Sequence, residues 1–517
     1  MRFFTGLIGH FRAEDAPYPP DGDGDPRYSF RSFLLLLLCW LMLWTILPSA
    51  YIGNVPIDVA ENIAWGQNFQ LGYDKNPYFG AWLTYAVFRL CPHDWVFYLL
   101  SQIAVFLGVS AAYKLTREVT RSDFAAFVAG VSTLLIPFFS HSANEFNDDV
   151  MSIALWGLTA LYFYRAVRKD TVWEWLAAGA FAGLAFMTKY LAGALLFPLG
   201  MLLLATPEGR KCWKKPGIYL GAAVFLLLVV PNVVWLFKHD FIAIRYAFGR
   251  AALDESIAWS DHLVHPAELL RDFFSRLILP AAAILLFRKS RRRADDAFGR
   301  AFMYCAGGGP LVLSFLFALV TGGDVLTSWL TPYYVFAAPL MVTEYRPLPG
   351  KRQLKCFAGL FILTAALTVV AFTYEYPYRR PYLKRGVSYN VYPGRQVAAE
   401  LTRRWHDRFR RPAPYVIGNR TVCCYMNYYS CDRPRTFFDH DIALSPSIDP
   451  ADVEKRGAVV IWRDKRPEYL ERYSERLTEE VTLTCERAVP RWIRAVVGAP
   501  GTVTIHAVFI APRGEGK

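Results

Sequence analysis

Apolar residues in this chain fall in blocks rather than in the mixed pattern of a water-soluble domain. The first block, FLLLLLCWLMLWTIL, runs from Phe33 to Leu47, and further apolar runs of similar length recur for more than 300 residues. Runs of about twenty apolar residues match the hydrocarbon thickness of a bilayer when wound as helices. The pattern predicts membrane helices at 33–52, 95–113, 123–140, 149–166, 173–188, 190–205, 216–236, 269–287, 301–320, 331–343 and 355–373. The gaps between them alternate. Lys114/Arg117/Arg121, Arg165/Arg168/Lys169, Arg210/Lys211/Lys214/Lys215, Arg288 to Arg293 and Arg346/Lys351/Arg352/Lys355 mark one side. The segments 53–94, HSANEFNDD, 237–268 and TGGDVLTSW, acidic or aromatic, mark the other. Basic loops stay in the cytoplasm, so an odd number of spans, about eleven, leaves the N-terminus inside and everything after about residue 374 outside.

The pattern changes at that point. A helical stretch, GRQVAAELTRRW, is followed by the short strand-like runs PYVIGN, GAVVIW, EVTLTCE and TVTIHAVFIA. Alternating helical and strand patterns predict a small α/β domain. The expected organisation is a polytopic α-helical membrane protein with a C-terminal extracytoplasmic α/β domain. It comprises a cytoplasmic tail over 1–32, a multi-span domain over 33–373 with outer loops 53–94, 140–149 and 237–268, and a periplasmic domain over 374–517. The acidic stretch 14–26 reads as a flexible tail, and being long and acidic it does not resemble the short basic start of a cleaved signal peptide. The first apolar run is therefore expected to remain in place.

Composition sharpens this reading. The chain is 54% hydrophobic with a net charge of +13, and basic residues cluster in short gaps between apolar runs, which argues for membrane orientation and against a nucleic-acid partner. Of nine cysteines, Cys423, Cys424, Cys431 and Cys485 fall in the outer domain, where one or two disulfides and buried free thiols are both open readings.

The candidate chemistry lies in the outer loops. Asp58 and Glu61 are three residues apart and share a face of any helix they occupy. Glu145, Asp148 and Asp149 form a second acidic group on the same side. Acids at the mouth of a membrane bundle are costly unless paired or solvated, which favours a functional role. Lys75, Lys189, Arg245 and Arg250 are placed at or near the outer face, against the positive-inside trend, and would suit an anionic ligand such as a lipid phosphate. Trp65, Tyr73 and Trp82 could stack on a sugar face, while the interfacial aromatic belt explains most other aromatics here. His262 and His265 have a spacing compatible with metal ligation, but no dependable metal set is visible, so a divalent cation is only a possible cofactor. P-loop, GxSxG, HExxH and Rossmann signatures are absent.

The run DVAENIAWGQNFQLGYDKNPYFGAWL resembles the first outer loop of GT-C membrane glycosyltransferases of the protein O-mannosyltransferase-like group. That group includes the aminoarabinose and galacturonic acid transferases acting on lipid A and its core. Further similarities follow in order: FNDDVMSIALW, GLAFMTKY, PNVVWLFKHDF, SWLTPYY, YPGRQVAAELTRRW, VIGN and CDRP, together spanning roughly 52–462. Two positions depart from the group. Its Pro-Pro is Pro77-Tyr78 here, and the basic residue or histidine usual just before it is Asn76, with Lys75 one place earlier. The resemblance implies a GT-C-like fold in a bacterial inner membrane, with a periplasmic active site. It implies a polyprenyl-phosphate sugar donor, a lipid or glycan acceptor such as lipid A or lipopolysaccharide core, and inversion at the anomeric carbon. In that scheme Asp58 orients or deprotonates the acceptor and Glu61 positions Asp58. Asp148 or Asp149 assists, while Lys75, Lys189, Arg245 or Arg250 meets the donor phosphate. A transporter or flippase of lipid-linked substrates is the competing class, although paired halves with broken helices, usual in transporters, are not visible in the sequence.

Overall fold

The computed structural model describes residues 25–251, 257–290, 296–382 and 389–513. Most of the acidic tail and the basic positions Arg291, Arg292 and Arg293 lie outside the described residues. Among the described residues five helices are long and apolar enough to cross a membrane: Phe30–Tyr51, Asp94–Thr120, Asp148–Lys169, Pro216–Lys238 and Lys351–Tyr374. Two bent pairs, Asp123–Leu134 with Pro137–Asn144 and Ala297–Gly307 with Gly309–Thr321, raise the number to seven if each counts as one span. The remaining apolar segments form shorter helices, Val172–Thr188, Gly193–Ala205, Ile278–Leu285 and Ala337–Tyr345. The expected span at 269–287 is divided: its first part belongs to the amphipathic helix Asp261–Ser275, which turns only Pro266, Leu269 and Phe273 inward. The expected span at 331–343 starts as a 3-10 stretch, Thr327–Phe336, with Pro332 inside it. Proline removes a backbone donor and crowds the preceding turn, so an unbroken α-helix is disfavoured there.

The helices approach closely where side chains are smallest. A Cβ on Gly157 would lie 2.9 Å from the Gly108 backbone, and one on Gly179 would collide with the backbone of Gly221. Small residues at crossings let helices gain dispersion contact without the hydrophobic drive that water supplies. The lipid-side faces stay apolar and open, as with Leu35, Leu38, Met42 and Ile46 on the first helix.

A short antiparallel pair, β1 (Arg288–Lys289) and β2 (Pro347–Leu348), ties two connections on the basic side. Beyond residue 389 the chain builds a five-stranded mixed sheet from β3 (Tyr415–Gly418), β4 (Arg435–Phe438), β5 (Ala458–Trp462), β6 (Val481–Glu486) and β7 (Thr502–Ile510). The order is β4-β3-β5-β7-β6, with β4, β3 and β5 parallel and β7 antiparallel to both its neighbours. Every residue of the central AVVIW strand is buried, as expected of a strand covered on both faces. The helices Gly394–Phe409 and Arg420–Tyr429 pack together beside the sheet. All nine cysteines are free, and Cys423 and Cys424 are buried in the second of these helices. The buried-thiol reading fits Cys423 and Cys424, whereas Cys431 is exposed and Cys485 half-buried.

This α/β unit is seated on the loops 53–94 and 140–149 by polar contacts. Asp94 accepts from Tyr428 Oη and Tyr429 Oη at 3.0 Å each and from Arg395 at 2.6 Å. Glu145 accepts from Tyr389 Oη at 2.7 Å and from Asn390 at 3.3 Å, so this acid is part of the junction. Asn54 donates to the Tyr392 carbonyl at 2.6 Å. Replacing Asp94 with Ala leaves two largely buried tyrosine hydroxyls without their acceptor. The expected cost is about 1–3 kcal/mol of docking stability, read as faster hydrogen exchange or proteolysis around 389–430, with little change in the helices of the bundle.

Candidate active site

The region expected to be an open loop, 53–94, is mostly two short helices, Ile57–Gly66 and Phe79–Leu90. Between them the chain reverses: the Tyr73 amide donates to the Asn76 carbonyl at 3.0 Å, and Gly72 pairs with Pro77. This reversal brings Asp74 and Lys75 back over the first helix. Lys75 Nζ then donates to both carboxylate oxygens of Glu61, at 2.7 and 3.1 Å.

The second acidic group starts a helix. Asn147 caps Asp148–Lys169 by accepting from the Val150 amide at 3.0 Å, and Asp148 and Asp149 occupy the first turn, where the helix dipole favours carboxylates. The cap also joins the two clusters, because Asn147 Nδ2 donates to Asp58 Oδ2 at 3.3 Å. Asn76 donates to Asp148 Oδ2 at 2.5 Å, while Asp148 Oδ1 is buried without a hydrogen-bond partner. Lys189 sits in extended conformation at the break after Val172–Thr188, and its Nζ meets Asp149 Oδ1 at 2.6 Å. Asp58, Glu61, Lys75, Asp148, Asp149 and Lys189 thus form one connected site.

The charges are unevenly matched. Glu61 and Asp149 are paired to lysines, whereas the polar partners of Asp58 and Asp148 are the asparagines Asn147 and Asn76. Part of the Asp58 side chain is open to solvent, yet it lies deep among other groups. Burial first, then the carboxylates of Glu61 and Glu145, hold the Asp58 carboxyl far above the ordinary range, at about 7, against the pull of Lys75 and Asn147. Burial alone would depress Lys75, but the Glu61 carboxylate outweighs it and keeps the ammonium above its usual value.

Two members of the site were not singled out from the sequence. Arg420, from the α/β unit, donates to Glu61 Oε1 at 2.7 Å and also pairs with Asp74, whose side chain is almost wholly buried. A weak signal did exist: Asn419-Arg420 starts a helix, and a cation in a first turn opposes the helix dipole unless an acid compensates it.

The other expected residues take different places. Trp65 and Tyr73 are buried and stack on each other with centroids 5.3 Å apart, so the two rings spend a face on one another and neither stands open for a sugar to stack on. Trp82 donates to the Gln70 carbonyl at 3.0 Å and leans on Tyr78, remaining partly open. Arg245 and Arg250 are exposed on the helix Ile242–Arg250, outside the paired cluster, although Tyr246 of that helix lies 5.6 Å from Lys75 Nζ. The His262 and His265 Nδ1 atoms engage the carbonyls of Leu319 and Gly322 at 2.9 and 2.7 Å, which ties two helices together. Among the described residues no group of three or more His, Cys, Asp and Glu side chains is arranged to hold a metal ion. Glu61 and Asp149 are engaged by Lys75 and Lys189.

Gly80 faces Asp148 so closely that a Cβ there would collide with Asp148 Oδ1. Gly80→Ala is therefore expected to displace the carboxylate and lower activity by about tenfold or more, with about 1–3 kcal/mol lost from overpacking. A transfer assay beside a thermal melt separates the two effects.

A bundle of apolar helices whose loops at one end carry acids and lysines, seated against an α/β unit, is a fold shared with solved membrane proteins. ArnT from Cupriavidus metallidurans, solved bound to undecaprenyl phosphate, superposes with a TM-score of 0.57 at 15% identity, covering 92% of this chain and 98% of that one. Its apo form gives 0.56. Residues 75–235 match the family described as dolichyl-phosphate-mannose-protein mannosyltransferase. The chain is homologous to two transferases of Rhizobium johnstonii. It is 24% identical to the lipid A galacturonosyltransferase over 278 residues, which is 52% of this chain and 56% of that protein. It is 23% identical to the lipopolysaccharide core galacturonosyltransferase over 456 residues, 84% of this chain and 86% of that protein. The match thus spans a little over half the length of the first relative and most of the second. The resemblance read from the first-loop and later motifs stands.

Proposed function

We propose that this protein transfers a sugar from a polyprenyl-phosphate donor to a lipid or glycan acceptor, such as lipid A or lipopolysaccharide core, at the periplasmic face of a bacterial inner membrane. The observation that carries the reading is Asp58: a carboxyl titrating near 7, with no cation bound to it, set beside two lysines held by neighbouring acids. A base poised near the working pH and fixed positive charges are what this chemistry asks of a protein.

The acceptor hydroxyl gives its proton to Asp58 as its oxygen attacks the anomeric carbon. The bond from that carbon to the phosphate oxygen breaks, and its electron pair leaves with the phosphate. Lys189 and Lys75 stabilise the charge that gathers there. Attack opposite the leaving phosphate inverts the anomeric centre. Asp148, held by Asn76, orients the acceptor or the sugar. Arg245 and Arg250, on the exposed helix beside Lys75, attract the anionic donor from the membrane surface. Both Rhizobium relatives are named for galacturonic acid, so a uronic acid is the first sugar to try.

The test is transfer of radiolabel in detergent from polyprenyl-phosphate sugars (a uronic acid, an aminopentose and a neutral hexose) into a lipid A or core extract. Transfer by the wild type supports the reading. A wild type that consumes no donor across the panel, yet moves labelled polyprenyl phosphate across liposome membranes, replaces it with a flippase.

A further inference from the structure

Asp74 is buried to 2% exposure in the turn between the two first-loop helices, with one carboxylate oxygen on Arg420 and the other without a hydrogen-bond partner. Glu61, at 6% exposure, is shared by Lys75 and Arg420 through the same oxygen, Oε1, at 2.7 Å from each. These four side chains carry two negative and two positive charges and balance. Arg420 is held from behind by the ring of Phe438, 4.9 Å away, and faces Trp65 at 5.9 Å. The arginine comes from the first turn of Arg420–Tyr429, and that helix is seated on the loop by Asn427 donating to Gln67 at 2.7 Å and by Tyr425 donating to the Val55 carbonyl at 3.1 Å.

Without Arg420, Lys75 would stand alone against two buried carboxylates. Both would compete for its three N–H donors, two of which Glu61 already takes. The cluster of Glu61, Asp74 and Lys75 would also lose one of its two positive charges. An incoming phosphate would then meet net repulsion, and in a half-dry site such charge differences are poorly screened.

We infer that Arg420 of the α/β unit is a positioning residue that neutralises Asp74 and part of Glu61, leaving one Lys75 N–H to engage the donor phosphate, so that anion binding in the membrane part depends on docking of the α/β unit. This rests on the function proposed above, and it assigns the α/β unit a share of the donor site through one side chain. Arginine suits the task because its planar fork engages two carboxylates at once, which a lysine ammonium does less well.

The experiment measures binding of undecaprenyl phosphate to the full-length protein in detergent by tryptophan fluorescence. The variants are Arg420→Met, Asp74→Asn, and both together, each checked for a monodisperse, cooperatively melting protein. Arg420→Met is expected to weaken binding about tenfold, one tenfold step being about 1.4 kcal/mol. The double variant, in which one charge of each sign is gone, is expected to return to within about threefold of wild type. Asp74→Asn alone leaves an extra positive charge and is expected to tighten binding. Equal affinity for wild type and Arg420→Met overturns the inference, as does a double variant as weak as Arg420→Met, because a purely structural arginine gives that pattern. If Arg420→Met does not fold, Asp74→Asn decides: unchanged or weaker binding overturns the inference. A wild type that does not bind undecaprenyl phosphate at all counts against the donor class itself, and so separates that failure from this one.

Discussion

On the proposed function, Asp58→Asn is expected to lower sugar transfer by about two to four orders of magnitude, the usual contribution of a positioned general base, while the protein stays folded. The amide keeps the size of the carboxyl but cannot take the acceptor's proton. In the wild type, kcat/KM should climb with pH and level off above a midpoint near 7, because the base works only when ionised and its carboxyl is held at about 7. Glu61→Gln should slide that limb toward acid, since it removes the larger of the two negative charges that raise Asp58 and leaves Lys75 free to lower it. Stability moves in the opposite sense. A carboxyl whose folded value lies above its unfolded one favours the folded state while protonated. Its contribution is complete below the ordinary carboxylate value, is lost as pH rises toward 7, and is gone above it. A melting series from pH 4 to 8 should show this slope in the wild type and a flatter one in Asp58→Asn. A wild-type rate that is flat with pH across 6 to 8 removes Asp58 as the base.

Lys189→Met carries the second large effect, a loss of about a hundredfold to a thousandfold in kcat, the scale seen when one preorganised charge-stabilising donor is removed. Lys189 has a partner in the resting site, Asp149 at 2.6 Å, so the substitution also leaves a carboxylate uncompensated at 13% exposure. The double variant Asp149→Asn/Lys189→Met separates these consequences. It should melt close to wild type, because the unpaired charge is gone, but remain inactive, because the cation is still missing. Recovery of activity in the double variant would reduce Lys189 to a structural partner of Asp149. Lys189→Arg keeps a cation of different shape, and intermediate activity is expected.

The legible part of this protein was the part written in local pattern. Apolar blocks located the long helices to within a few residues, as in Phe30–Tyr51 and Lys351–Tyr374. The three-residue spacing of Asp58 and Glu61 put them on one face of any helix there, though the helix Ile57–Gly66 itself was not foreseen in the loop, and a lysine stranded between apolar runs marked the break at Lys189. The shorter elements were harder. Apolar content alone does not distinguish a full span from the broken segments around Pro332 and Arg276, because what ends those helices is backbone chemistry and the polar face of Asp261–Ser275. Arg420 and Asp74 escaped for a different reason. They are 346 positions apart, and nothing in the periodicity around either one names the other. Trp65 and Tyr73 show the reverse error: two exposed-looking aromatics in a loop turn out to be each other's packing partner.

The separation between Asp74 and Arg420 also sets an order in time. At about 5–20 residues synthesised per second, the 346 positions between them correspond to on the order of twenty to seventy seconds. Throughout that interval the first-loop acids have been made and their arginine has not. Asp94 waits similarly for Arg395, 301 positions later. The nascent bundle therefore passes through a stage in which Asp74 and Asp94 lack the arginines that pair with them in the finished protein. Chains that stall before residue 420 hold Asp58, Lys75 and Lys189 and still lack the charge balance of a finished site.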